Sequence, residues 1–342
     1  MSEKKEKRKL SVFSRIVIAL LIILVLIVGV AFFYVKGKLD KIQKVELPSD
    51  KDLGITETTA KNLTGYRNIA IFGVDSRSDD YGIGNRSDCI IIASINNDTG
   101  AIKLISVYRD TYVNIEGHGL DKITHAYSYG EAPLAVKTLN TNLDLNINEF
   151  VTVNFAEAVD QLGGVQLTIT SDEIKYINGY IDETSKVTGK ISEHITEPGT
   201  YTVDGVQAVA YSRIRYTDGG DYKRTERMRT VIEAMFSKLK TKNLNEINSF
   251  ADKILPHVYT NISATDIISM VPSMSKYKVT ESIGWPYDTK GKTMDRWYGI
   301  PITLESNVTQ LHKEAFGEEN YTASDTVKSI SESIIKKTGY TK

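Results

Sequence analysis

The sequence predicts an α/β protein: an α-β-α layered domain with a central mixed β-sheet, behind a single N-terminal transmembrane helix. Three observations carry this. From residue 66 onward, apolar runs of strand length alternate with segments of helical period. The turn signal Asn97-Asp-Thr-Gly100 joins two of those runs as a hairpin, so the sheet is not purely parallel. Ile16 to Val35 is an uncharged run; about twenty residues at 1.5 Å each cross a hydrocarbon core of about 30 Å.

Lys4, Lys5, Lys7, Arg8, Lys9 and Arg15 precede the apolar run and favour a cytoplasmic N-terminus, although four lysines follow within residues 36–44. The expected organisation is a cytoplasmic tail over 1–15, an anchor over 16–35, a polar extracytoplasmic stalk over 36–65 and a folded domain over 66–342. A cleaved signal peptide is the alternative, but the run exceeds an ordinary apolar signal region and only Gly29-Val-Ala31 resembles a cleavage site. A formal net charge of −1 argues against a dedicated nucleic-acid binder. The lone Cys89 rules out a disulfide framework within the chain, and five scattered histidines argue against a zinc site.

Tyr66 to Asp75 reads as a buried strand delivering Asp75 at its C-terminal end, followed by a glycine-rich polar loop over 76–86. Ser87 to Asn96 is a second buried strand with Asp88 at its start, and Ala101 to Tyr108 a third, with Arg109 and Asp110 just past it. Asp75, Arg77, Arg86, Asp88, Arg109 and Asp110 therefore gather at strand ends or adjoining loops. Gly117 to Tyr127 leads into a helix through about Asn140, with Pro133 suited to a first turn. Phe150–Asn154 and Val165–Ile169 read as strands around a Phe155–Leu162 helix, and 171–200 as a polar excursion, a lid or surface loop. Further helices are expected from Asp204, over 243–255 and 263–275, and from Ser306 onward, with strands near 279–285 and 297–302.

One stretch is built to face an anion. Between Tyr211 and Arg229 lie Arg213, Arg215, Lys223, Arg224, Arg227 and Arg229, broken by Gly219-Gly220. In extended backbone Arg213 and Arg215 point to one side. Met228, Val231, Ile232, Met235 and Phe236 recur with helical spacing, placing Arg224 and Arg227 on a helix's first turns. Arginine is locally unfavourable there, and a bound phosphate reverses the sign of that cost. A solvated basic face, with Asp221 as a helix cap, is the plain alternative.

Taken together, Gly73-Val-Asp-Ser-Arg77, Arg86-Ser-Asp88, Ser106-Val-Tyr-Arg-Asp110, Asp121-Lys-Ile-Thr-His-Ala126, Asp160-Gln-Leu-Gly-Gly164, Tyr211-Ser-Arg-Ile-Arg215 and Gly220-Asp-Tyr-Lys-Arg-Thr-Glu-Arg227 resemble the LytR-CpsA-Psr family. The blocks keep the family's order across roughly Tyr66 to Leu239, behind the expected anchor. The resemblance implies a membrane-held, extracytoplasmic phosphotransferase. Such enzymes move a glycopolymer, such as teichoic acid or capsule, from a polyprenyl-diphosphate carrier to a peptidoglycan hydroxyl. It also assigns Arg77, Arg86, Arg109, Arg213 and Arg215 to the diphosphate, with Lys122, Asp221, Arg224 and Arg227 as further members. Met228 departs from the pattern, where glutamine often stands.

The residue chemistry fits that reaction. Arginine's planar fork binds phosphate oxygens while staying protonated. Asp75 and Asp88 could hold Mg²⁺ (or Mn²⁺) with the diphosphate completing its shell, or instead form ion pairs with Arg77 and Arg86. A carboxylate, Asp110 among them, would accept the proton of the attacking hydroxyl. The carrier lipid needs an apolar channel, and apolar residues of the strands and of 123–139 could line it or simply form core. Two other functions fit the same residues: a non-catalytic polyprenyl-phosphate-binding regulator, and a diphosphate hydrolase.

Overall fold

The computed structural model of the chain describes residues 34–74, 82–215, 220–270 and 276–341. The side chains of Asp221, Tyr222, Arg224 and Thr225, with a few other helical positions, lie outside that description. The expected anchor falls outside it too, except for Tyr34 and Val35. Among the described residues no helix is long and apolar enough to cross a membrane.

The chain folds around one mixed sheet. Its strands are β1 (Gln43–Lys44), β2 (Tyr66–Val74), β3 (Ser87–Asn96), β4 (Ala101–Val107), β7 (Glu149–Asn154), β10 (Val258–Thr260) and β11 (Lys278–Trp285). They lie in the order β1-β10-β7-β2-β3-β4-β11. The expected Asn97–Gly100 hairpin is present, β3 running antiparallel to both β2 and β4. β7 lies parallel to β2, and β11 parallel to β4. One end of the sheet thus collects the C-termini of β2, β4, β7 and β11 with the N-terminus of β3.

Both faces of the sheet are covered, which explains why β3 shows no polar alternation. Ile90 and Ile92 enter a core with Phe72, Val136 and Leu139, under the helices Ile123–Leu143, Leu304–Phe316 and Asp325–Thr338. Cys89, Ile91 and Ala93 enter a second core under the helices Phe155–Gln161, Ser171–Thr188, Gly205–Arg213 and Gly220–Thr241. Fully burying one such isoleucine contributes about 1.5–3 kcal/mol, so β3 is the strand on which both layers depend. The Ile123–Leu143 helix breaks at Gly130 and Glu131, the latter with φ 55°, and restarts with Pro133 in its first turn.

Several expectations change. The excursion over 171–200 is mostly the helix Ser171–Thr188, started by a Thr170/Glu173 capping box and ended by Gly189 at φ 72°. Ile177 and Ile181 on that helix are fully buried, which holds it on the sheet. The segment expected as a stalk is docked: Lys38 and Lys41 both bind Asp252, β1 pairs with β10, and Leu53 and Leu63 lie in the first core. Ahead of the long helix, β5 (Tyr112–Ile115) and β6 (Gly119–Lys122) make a small hairpin that polar composition concealed. β8 (Val165–Ile169) pairs with β9 (Gly199–Val203), and β12 (Thr289–Thr293) with β13 (Trp297–Pro301).

Candidate active site

The site lies at the sheet end where β2, β3 and β4 meet. Gly73 pairs with Cys89 and Val74 with Ser87, leaving Asp88 as the extra residue of a bulge. Bulges re-aim side chains at strand ends, and here the residue is a carboxylate. Only glycine fits at 73, because a Cβ there would approach the Cys89 Cβ to 2.8 Å.

Arg109 Nη1 stands 3.1 Å from Asp88 Oδ1, with the two side chains 12% and 26% exposed. Asp88 thus pairs with Arg109, while Arg86, its alternative partner by sequence, is exposed. Arg109 Nε is buried with no hydrogen-bond partner among the described residues. An unmet guanidinium donor beside an ion pair suits an incoming anion. Thr124 fixes this geometry: its N–H donates to the Arg109 carbonyl at 3.1 Å and its hydroxyl to the Ser87 carbonyl at 2.9 Å.

Lys122 Nζ donates to Asp110 Oδ1 at 2.6 Å and lies 5.6 Å from the Tyr298 ring centre. Asp110 is only 5% exposed, so this pair also braces the turn after β4. Beside it, Asp121 Oδ2 meets His125 Nδ1 at 2.8 Å and accepts from the Tyr129 hydroxyl at 2.7 Å. Asp121 Oδ1 accepts from the Lys122 N–H at 2.8 Å. Burial pushes the Asp121 carboxyl up, but the bonds from His125, Tyr129 and the Lys122 N–H outweigh it and hold the group below the usual carboxylate range.

The basic stretch arrives from the second core. Arg213 is the last residue of the Gly205–Arg213 helix, not part of an extended segment, because an Asp204/Gln207 capping box and buried Val206, Val209 and Ala210 make that stretch helical. Its Nη1 donates to Thr184 Oγ1 and its Nη2 to Glu183 Oε2, both at 3.1 Å, with the Tyr180 ring 5.4 Å away. Arg215 is exposed. Arg227 is 6% exposed; its Nε donates to Glu173 Oε1 at 2.8 Å and its Nη1 to the Ile214 carbonyl at 3.0 Å. In this arrangement Arg227 ties the Ser171–Thr188 helix to the segment after Arg213. Its neighbour Met228 lines a crevice with Asp88, Arg109, Cys89, Ser106 and Val107, so the basic helix does reach the strand-end pair.

Asp75 and Arg77 lie outside the described residues, as do the side chains of Asp221 and Arg224. Asp88 with Arg109, and Lys122 with Asp110, are brought together; Arg213 and Arg227 face other acidic partners. Apolar residues such as Ile123, Ala126, Tyr127, Val136 and Leu139, a possible lipid channel by sequence, are core here. Tyr129 was missed by sequence reasoning; its signal is the i, i+4, i+8 spacing of Asp121, His125 and Tyr129.

The LytR_cpsA_psr family model matches residues 30–312. The teichoic acid transferase TagT of Bacillus subtilis (strain 168) is 31% identical over 304 residues, covering 84% of this chain and 90% of that protein. The TagU transferase of Enterococcus faecalis (strain ATCC 700802 / V583) is 34% identical over 252 residues, covering 70% and 77%. A solved structure of the LytR-CPS2A-psr family protein YwtF (TagT) with bound octaprenyl pyrophosphate lipid is similar at a TM-score of 0.50 and 25% identity, covering 81% of this chain and 92% of that one. The fold, the ordered sequence blocks and these likenesses agree, and the chain belongs to the LytR_cpsA_psr family.

Proposed function

We propose that this chain is a phosphotransferase that moves a glycopolymer, such as a teichoic acid or capsule, from a polyprenyl-diphosphate carrier to peptidoglycan. Its relatives are polyisoprenyl-teichoic acid–peptidoglycan teichoic acid transferases. The observation that carries the reading is the Asp88–Arg109 pair at the open ends of the β3–β4 hairpin, with the buried Arg109 Nε donor beside it. In the reaction, a peptidoglycan hydroxyl oxygen bonds to the phosphorus next to the polymer. The bond from that phosphorus to the bridging oxygen breaks, polyprenyl phosphate leaves, and the hydroxyl proton passes to a carboxylate base. Arg109, with Arg86 and Lys122 near it, stabilises the charge that grows on the leaving phosphate.

A divalent ion fits the donor chemistry. Mg²⁺ takes one or two protein carboxylates with phosphate oxygens, and Asp88 offers a hard oxygen at the mouth of the site. Asp88, with Asp75, would hold Mg²⁺ or Mn²⁺, which when bound adds positive charge at the diphosphate. Residues 16–35 would anchor the chain as a single pass, with the N-terminus cytoplasmic and the enzyme on the outer side, where a carrier confined to the bilayer can reach it.

The test incubates the full chain with Mg²⁺, a lipid-diphosphate-linked saccharide and peptidoglycan oligomers. Covalent polymer–peptidoglycan product supports transfer, free saccharide phosphate supports hydrolysis, and binding without turnover supports a regulator. Arg109→Ala is expected to lower turnover by about 10²–10³-fold. Full activity in that variant refutes the role of Arg109.

A further inference from the structure

Next to the strand-end pair lies an exposed cluster that the phosphate chemistry does not use. His118, on the β5–β6 turn, stacks on Tyr129 with ring centres 4.1 Å apart and planes 11° apart. Both rings are exposed, Tyr129 by 39%. The hydroxyl of Tyr129 donates to Asp121 at 2.7 Å, and buried His125 meets the same carboxylate oxygen at 2.8 Å, so the platform is anchored to the helix. Arg296, exposed at the turn of the β12–β13 hairpin, pairs with Asp295 at 3.2 Å, and Asp295 in turn accepts from the Tyr298 hydroxyl at 2.9 Å. We infer that His118, Asp121 and Tyr129 form a pyranose-binding subsite beside the phosphate site.

The chemistry matches a sugar ring. A pyranose presents an apolar C–H face, which packs on aromatic rings, and equatorial hydroxyls, which bond carboxylate groups. The place matches too. Lys122, which follows Asp121, is bonded to Asp110, and Thr124 is bonded to the backbone of Arg109 and Ser87. A ring seated on the platform therefore abuts the diphosphate, which carries one saccharide and is attacked by another. This rests on the transferase reading and adds where a sugar sits; the ring belongs either to the acceptor or to the donor polymer.

The test uses His118→Ala and Tyr129→Phe in the full chain. KM is measured separately for the lipid-linked saccharide and for peptidoglycan oligomers, alongside affinity for sugar-free polyprenyl diphosphate. Losing the stack raises one of the two KM values by roughly tenfold in His118→Ala, and the substrate affected identifies the ring. Affinity for the sugar-free lipid stays at the parent level. Parent values for both saccharide substrates, or an equal loss for the sugar-free lipid, overturn the subsite. If the parent chain makes no product, the transferase reading fails by itself. The subsite is then decided by titrating N-acetylglucosamine oligomers against the parent and His118→Ala, where equal binding or none in the parent overturns it.

Discussion

Arg227→Ala separates a ligand-binding arginine from a structural one. Family resemblance assigns Arg227 to the diphosphate, yet it is 6% exposed and bonded to Glu173 at 2.8 Å and to the Ile214 carbonyl at 3.0 Å. Glu173 is itself buried at 7%, so removing the guanidinium strands a carboxylate away from water. Breaking a buried pair by deleting one partner costs about 3–5 kcal/mol, which for a domain of this size lowers the melting temperature by about 6–10 °C. The pair Arg227→Met with Glu173→Gln removes both charges, and the glutamine carbonyl can still accept from the Thr170 N–H at the helix start. That double variant is expected to recover at least half of the loss. Thermal and urea unfolding of the full chain, followed by circular dichroism, measure both. A single variant that melts within 1–2 °C of the parent while losing donor affinity would refute the structural assignment.

Glu183→Ala frees Arg213 from an exposed pair and is expected to change stability by less than about 1 kcal/mol while lowering the donor KM up to about fivefold, if Arg213 turns to the diphosphate; an unchanged donor KM refutes that turn. Asp121 has its carboxyl held below the ordinary value by its three donors after burial is overcome. Its contribution is present above the unfolded value of about 3.9 and is lost as pH falls through the lower folded value, so acid melting below about pH 4 should be shallower in Asp121→Asn. Equal acid sensitivity of parent and variant would count against it. Met228 lines the crevice beside Asp88 and Arg109 at 8% exposure. Met228→Gln is expected to cost about 1–3 kcal/mol of stability and to tighten donor binding through the amide donors; a donor KM that does not fall excludes this position as a phosphate contact.

The layered fold was legible because its strongest signals are local. Cys89-Ile-Ile-Ile-Ala93 announces a strand buried on both sides, and Asn97–Gly100 announces its return. The gathering of Asp88, Arg109 and Asp110 at one end of the sheet follows from the antiparallel run of β3 and β4, which the hairpin signal predicts. What stayed hidden depended on partners distant in sequence. Glu173 lies 54 residues before Arg227, and nothing near either residue says that they pair. The helix starting at Asp204 is legible, but its end is not: the two-residue spacing of Arg213 and Arg215 suggests extended backbone after Tyr211, whereas the helix runs on to Arg213. The helix Ser171–Thr188 was masked by its polar exposed face, although Thr170 and Glu173 mark its start.

Glu173 serves two elements at once. One oxygen closes the first turn of the Ser171–Thr188 helix through Thr170, and the other holds Arg227 on the basic helix. A hinge between those helices would have to abandon that pair at about 3–5 kcal/mol, comparable to or above the few kcal/mol that separate interchanging states of a protein. Separating the two helices therefore carries that cost. Movement of both helices together against the sheet, along the seam where Met228 lines a crevice with Cys89 and Val107, leaves that pair intact.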